Sequence, residues 1–187
     1  MIMNIYELLN KIIVNESFKL SSNLFTQVDR DCLDESDRPL FDLLENISSL
    51  GTEIHNSRIT FHPLVVMADG RRTFAIEDLT NDDYEILKTI DFKRLPLVLR
   101  SLVADILWTQ KKEFQAAKIA AEAYWELCQL YYMDGDNLGM LDMLKRAVCI
   151  SVQTNQTPLY SQIYTWFESF LTHRATTGNR FTSLRIM

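Results

Sequence analysis

The stretch Leu97-Val98-Leu99-Arg100-Ser101-Leu102-Val103-Ala104-Asp105-Ile106-Leu107-Trp108 decides how this chain is read. Its apolar side chains fall on nearly every side of a helical wheel, and only Arg100, Ser101 and Asp105 leave a narrow polar strip. A helix that is apolar almost all round has to be surrounded by other elements, so the spacing predicts a central helix over residues 95–110.

Working downstream, a short turn at Lys111-Lys112 leads to a longer helix, predicted over residues 113–132. Gln115, Lys118, Glu122, Glu126 and Gln129 form its polar stripe. Ala117, Ala121, Tyr124, Cys128 and Tyr131 lie opposite, with Ala116, Ala120 and Ala123 alongside, and so many alanines permit close helix approach. Asp134-Gly135-Asp136-Asn137 breaks the chain before a helix over 138–152, which carries an Asp142/Arg146 pair at i,i+4. Thr157-Pro158 reads as N-cap and first position of a last helix, with Leu159, Ile163, Trp166, Phe167, Phe170 and Leu171 facing inward.

Four consecutive helices joined by short turns predict a mainly α fold of stacked antiparallel helical hairpins, α-solenoid or tetratricopeptide-like. Phe114, Ala117, Ala121 and Tyr124 resemble the second helix of a tetratricopeptide unit, but the other signature positions are missing.

Upstream, Ile2, Ile5, Tyr6, Leu9, Ile12 and Ile13 recur at helical spacing, and a second short helix is expected over residues 18–28. The acidic stretch 29–37 reads as a loop; a third helix starts near Ser36–Pro39 and stops at Gly51, where a left-handed cap fits. Residues 52–79 are richer in strand formers, and Asp69-Gly70 between them is a hairpin signal. Pro63 demotes the first run to an edge, so a small extended or β-hairpin segment is expected near residues 58–77. Thr80 fits an N-cap, with Asp82 and Asp83 complementing the helix dipole. The expected organisation is one helical domain over 1–173, divided into N-terminal helices (1–51), the extended segment (52–79) and the hairpin core (80–173), with a tail over 174–187.

A net charge of −6 argues against nucleic-acid binding by this chain alone, and equally against docking on an anionic membrane. Three widely spaced cysteines, Cys32, Cys128 and Cys149, offer neither a disulfide framework nor zinc-ligand spacing, which favours the cytoplasm. No apolar run reaches the length of a membrane span.

Several phrases carry a likeness: Phe61-His62-Pro63, Met67-Ala68-Asp69-Gly70-Arg71-Arg72, Ile76-Glu77-Asp78-Leu79, then Leu99 through Trp108, Phe114-Gln115-Ala116-Ala117, Glu122-Ala123-Tyr124, Arg146-Ala147-Val148 and Pro158-Leu159-Tyr160. Over roughly residues 60–173 the chain resembles the N-terminal helical region of a group of uncharacterised bacterial proteins. In those, a separate C-terminal domain of unknown function follows, with suspected kinship to HEPN-type nucleases. The resemblance implies a helical accessory domain and supplies no catalytic residue. A HEPN ribonuclease places an Arg, a polar residue and a His about one helical turn on; neither Arg58 with His62 nor His173 satisfies that spacing.

The three histidines, His55, His62 and His173, are scattered, and the acidic run 29–37 lacks the glycine and closing glutamate of a calcium loop. No catalytic, metal or cofactor residue is therefore assigned. Candidate partner contacts are Arg71 and Arg72 on the turn, Arg100 and Asp105 on the polar strip, and Trp125 among the aromatics. Arg100 and Asp105 either pair with neighbouring loop groups, as buried charge must, or line a polar cleft for a partner's chain end. Cys149 falls on a polar stripe and is expected to be partly exposed, without a base beside it.

The reading that follows is a non-catalytic interaction or scaffold domain. Its partner is another protein, the chain's own C-terminal continuation, or a second copy in a homodimer. The alternative is an accessory or regulatory N-terminal domain of a larger nuclease-type bacterial protein.

Overall fold

The computed structural model describes residues 3–13, 25, 28–56, 67–68, 71–72 and 79–176. Among these the chain is mainly helical: α1 (Ile5–Ile13), α2 (Arg38–Asn56), α3 (Asn81–Lys88), α4 (Leu97–Lys111), α5 (Phe114–Met133), α6 (Asn137–Gln153) and α7 (Thr157–Thr176). Two short strands, β1 (Met67–Ala68) and β2 (Arg71–Arg72), pair antiparallel with Met67 opposite Arg72 and Ala68 opposite Arg71. Of the segment expected to be extended over 52–79, residues 57–66, 69–70 and 73–78 lie outside the described residues.

α4 is the centre. Val98, Leu99, Leu102, Val103, Ile106 and Leu107 are at most 1% exposed, each contributing on the order of 2 kcal/mol through burial. α5 packs along α4 on one side and α6 on the other, while α7 packs on α6 and α3 on α4. The buried alanines Ala116, Ala117, Ala120, Ala121 and Ala123 allow α5 to sit close to both neighbours.

Each turn of this series holds one left-handed residue: Lys112 (φ 56°), Gly135 (φ 78°) and Asn155 (φ 55°). Asp136 N donates to Tyr131 O at 3.0 Å and Gln156 N to Ser151 O at 2.8 Å, closing α5 and α6 with the hydrogen bond characteristic of a Schellman end. Asp136 then caps α6 by accepting from Gly139 N at 2.9 Å. At α3, Thr80 and Asp83 form the reciprocal capping box, so the expected N-cap is found with a second hydrogen bond added.

α1 is held from two directions. Ile5 N donates to the Asp37 carboxylate at 2.9 Å, and Asp91 N donates to the Tyr6 hydroxyl at 3.0 Å. The α1 segment is thereby tied both to the entry of α2 and to the 3-10 turn Phe92–Arg94 before α4.

Four expectations are corrected. α2 does not stop at Gly51 but continues to Asn56, so residues 52–56 are helical. A glycine inside a helix is unfavourable by only about 1 kcal/mol, and the sequence register Ile47, Leu50, Ile54 carries on through it. The helix expected over 18–28 is not continuous, since Phe25 sits in a turn and Val28 in a bend; its other residues lie outside the described ones. The expected tail begins too early, because α7 runs to Thr176. Leu171, expected inward, is 45% exposed because it lies on the outer stripe of α7.

Candidate interaction face

Among the described residues the buried polar and charged ones, Ser101, Asp105, Arg146 and Ser151, each make a side-chain hydrogen bond. Asp105 on α4 is 1% exposed and accepts from the Tyr124 hydroxyl of α5 at 2.7 Å and from Thr109 at 3.2 Å. Burial lifts its carboxyl to about 7, against the pull of those two donors. Burial also drives the Tyr124 phenol well up, and the Asp105 charge adds to it. One layer out, Arg146 and Asp142 form a bidentate ion pair on α6 at 3.0 Å, with the guanidinium 5.6 Å from the Tyr124 ring centroid. Burial lowers Arg146 to about 9 and raises Asp142 to about 6, so both remain charged at neutral pH.

These groups cross three helices and hold their packing. At 1% exposed, Asp105, expected as a candidate partner contact, presents almost no surface. Trp125 is 5% exposed: its ring packs edge-on against Trp166 at 5.2 Å, and its buried indole Nε1 makes no hydrogen bond among the described residues.

Arg100 is placed differently. It is half-buried, its guanidinium donates to Leu95 O at 3.0 Å, and it lines an open cleft against α1. Arg71 and Arg72 form β2, and their side chains lie outside the described residues, as do His55 and His62. The structure thus brings none of Arg100, Asp105 and Trp125 into one site.

What the structure assembles instead is an apolar groove of about 390 Å³ between α6 and α7. Leu141, Leu144 and Val148 form one wall, and Tyr160, Tyr164 and Phe167 the other, with Ile163 at the base. Tyr160 is 39% exposed and Tyr164 52%, and their rings stack at 6.4 Å. Beyond the groove the apolar surface continues to Leu138, 82% exposed, and Val152, 56% exposed. On the other side of α7, Trp166 and Phe170 stack on each other and meet Tyr132 at 5.5 Å, which fastens α7 to α5.

Sequence spacing alone does not single out this face, because it does not say which apolar stripe of α7 is covered. A signal was available: Tyr160, Tyr164, Phe167 and Leu171 fall at i, i+4, i+7 and i+11, one stripe, while Ile163, Trp166 and Phe170 form another. A single helix with two apolar stripes needs neighbours on both, and among the described residues α7 is covered on the second stripe only.

Cys149 lines the groove and is exposed, in keeping with its sequence reading. Cys128 is buried, with its thiol pushed up to about 12 by burial, and Cys32 is intermediate. Among the described residues, no group of three His, Cys, Asp or Glu side chains is placed to hold a metal ion. No described helix is long and apolar enough to cross a membrane.

No curated protein and no solved structure matches the chain. A family described as "Domain of unknown function (DUF7380)" matches residues 3–161, from α1 through the first turn of α7. The chain belongs to that family.

Proposed function

We propose that this domain is a non-catalytic protein-interaction module, a stack of helical hairpins of the solenoid kind whose outer groove takes an amphipathic helix from a partner protein. The observation that carries this is the α6/α7 groove, where large aromatic and aliphatic side chains stay solvent-facing. Contiguous exposed apolar surface of this kind marks a contact face more often than it is left bare. From Leu138 to Val152 the apolar surface of α6 runs about 21 Å at the helical rise of about 1.5 Å per residue, enough for four helical turns of a ligand. A cytoplasmic setting is supported by the free thiols.

The native Cys149 supplies the test. A Cys32→Ser chain carrying a benzophenone on Cys149 is irradiated in extract of the source cells, and the adduct is mapped by mass spectrometry. The reading requires one predominant adduct on an amphipathic helical segment, competed by a synthetic peptide of that segment. A probe at Glu122→Cys, with Cys149 also replaced, should yield none. Identical adducts from both positions, or none from Cys149, would remove it.

The accessory-domain reading rests on the resemblance to the N-terminal region of bacterial proteins with a suspected HEPN-related partner domain. Sequencing the reading frame past Met187 tests it: an in-frame nuclease-type domain supports it, and a stop codon without a neighbouring nuclease gene counts against it.

A further inference from the structure

A second surface has different chemistry. Where α1, the turn Phe92–Arg94 and the start of α4 meet, an open cleft of about 430 Å³ is lined by Tyr6, Glu7, Lys93, Arg94, Pro96 and Arg100 among others. Of its three cations, Arg94 and Arg100 are held in place by neutral partners. Arg94 lies over the Tyr6 ring at 4.4 Å and donates to the Asn4 amide oxygen at 3.3 Å. Arg100 donates to the carbonyls of Leu95 at 3.0 Å and Lys93 at 3.4 Å, while its buried Nε has no partner. None of the three makes a salt bridge among the described residues, in contrast to Arg30, Arg38 and Arg146. Glu7 is the one carboxylate in the lining.

Carbonyl and ring contacts orient a guanidinium without neutralising it, so the cleft keeps a positive balance in a chain of net charge −6. Pro96, at the N-cap of α4, provides no side-chain hydrogen bond there, so the helix end adds its partial positive charge. Part of its wall is apolar, from the half-buried Tyr6 and Leu97, which a bare phosphate leaves uncovered. A long polyanion meets repulsion from the rest of the surface, whereas a short peptide with alternating acidic and apolar side chains matches both kinds of wall.

We infer that this cleft binds an acidic peptide segment of a partner protein, its carboxylates meeting Lys93, Arg94 and Arg100 and an apolar neighbour lying on Tyr6 and Leu97. This rests on the interaction reading above and adds a second contact to it, built entirely from elements other than α6 and α7.

The experiment is a proton–nitrogen NMR titration of the isotopically labelled full chain at low ionic strength. The probe is a capped decapeptide of alternating glutamate and leucine. The expected result is saturable shifts in the Lys93 and Leu97 amides and in the Arg100 Nε signal. Lys93→Gln should weaken binding about fivefold, and Glu7→Gln should strengthen it by a similar factor. Lys93 is exposed and its ammonium has no ion-pair partner among the described residues, so its variant keeps the fold while Arg100→Gln tests the same cleft more severely. Shifts that do not saturate, or that Lys93→Gln leaves unchanged, overturn the proposal. So does a titration in which inorganic phosphate or a short single-stranded oligonucleotide binds and the peptide does not. The adduct at Cys149 is read on different helices, so either result can fail while the other stands.

Discussion

α5 and α7 are both twenty residues long and both rich in aromatic side chains, yet they are buried to very different extents. α5 buries ten side chains, five of them alanine, between α4 and α6. Of the described side chains of α7, only Ile163 and Phe170 are buried. Small side chains become interior only when a neighbouring backbone comes to within about 8–10 Å, and α5 has such a neighbour on both flanks. Among the described residues α7 has neighbours on one flank, reached by the long arms of Trp166 and Phe170, and none on its other stripe. Burial here is set by the number of neighbours, with helix composition following from it. An inner helix is defined by what cannot be enlarged, an outer one by what can be removed.

The largest expected effect tests the inner half of that contrast. Ala121 is fully buried on the stripe that faces neighbouring helices. Ala121→Leu inserts three carbons where none fits, and should destabilise the fold by about 3 kcal/mol. In a chain of this size that lowers Tm by roughly 6–12 °C. Thermal unfolding followed by circular dichroism measures it; an unchanged Tm would mean that α5 is not wedged between its neighbours.

A smaller effect comes from the polar groups inside the same seam. The Asp105 carboxyl is lifted to about 7 in the folded chain, while an unfolded aspartate titrates near 3.9. Between about pH 4 and 7 the folded state therefore binds more protons than the unfolded one, so its stability falls as pH rises and levels off above 7. Asp142, raised to about 6, adds a contribution of the same sign between about pH 4 and 6. Tyr124→Phe removes the hydroxyl that donates to Asp105 at 2.7 Å. It should destabilise by about 1–3 kcal/mol, more at pH 8 with the carboxylate ionised than at pH 5. Urea unfolding at the two pH values separates this from simple loss of packing, which predicts equal losses.

The inner seam was largely legible in the sequence, because an alanine-rich stripe and an all-round apolar helix admit one reading each. Arg100 and Asp105 were legible as polar interruptions, but their fates diverged for a reason that sequence spacing does not carry. Asp105 meets Tyr124, nineteen positions away, whereas Arg100 opens toward α1, whose Tyr6 lies more than eighty positions upstream in contact with the 91–94 turn. The end of α2 was misread at Gly51 because local propensity was given precedence over continuing periodicity. The outer groove was illegible for a related reason: inward and outward aromatic stripes on α7 look alike until the number of neighbours is known.

The smallest effect on stability tests the outer half. Tyr164 is 52% exposed and Leu171 45%, both on the stripe that no described element covers. Exposed positions away from caps and buried pairs usually change stability by no more than about 0.5 kcal/mol, so the double variant Tyr164→Ser, Leu171→Ser should unfold almost as the parent does. The same variant should lose the Cys149 adduct, because a ligand helix in the groove would no longer find its aromatic wall. Retained fold with lost adduct is the signature of a contact face. Should the double variant instead melt as far below the parent as Ala121→Leu, α7 would belong to the interior, and the distinction between the two twenty-residue helices would collapse.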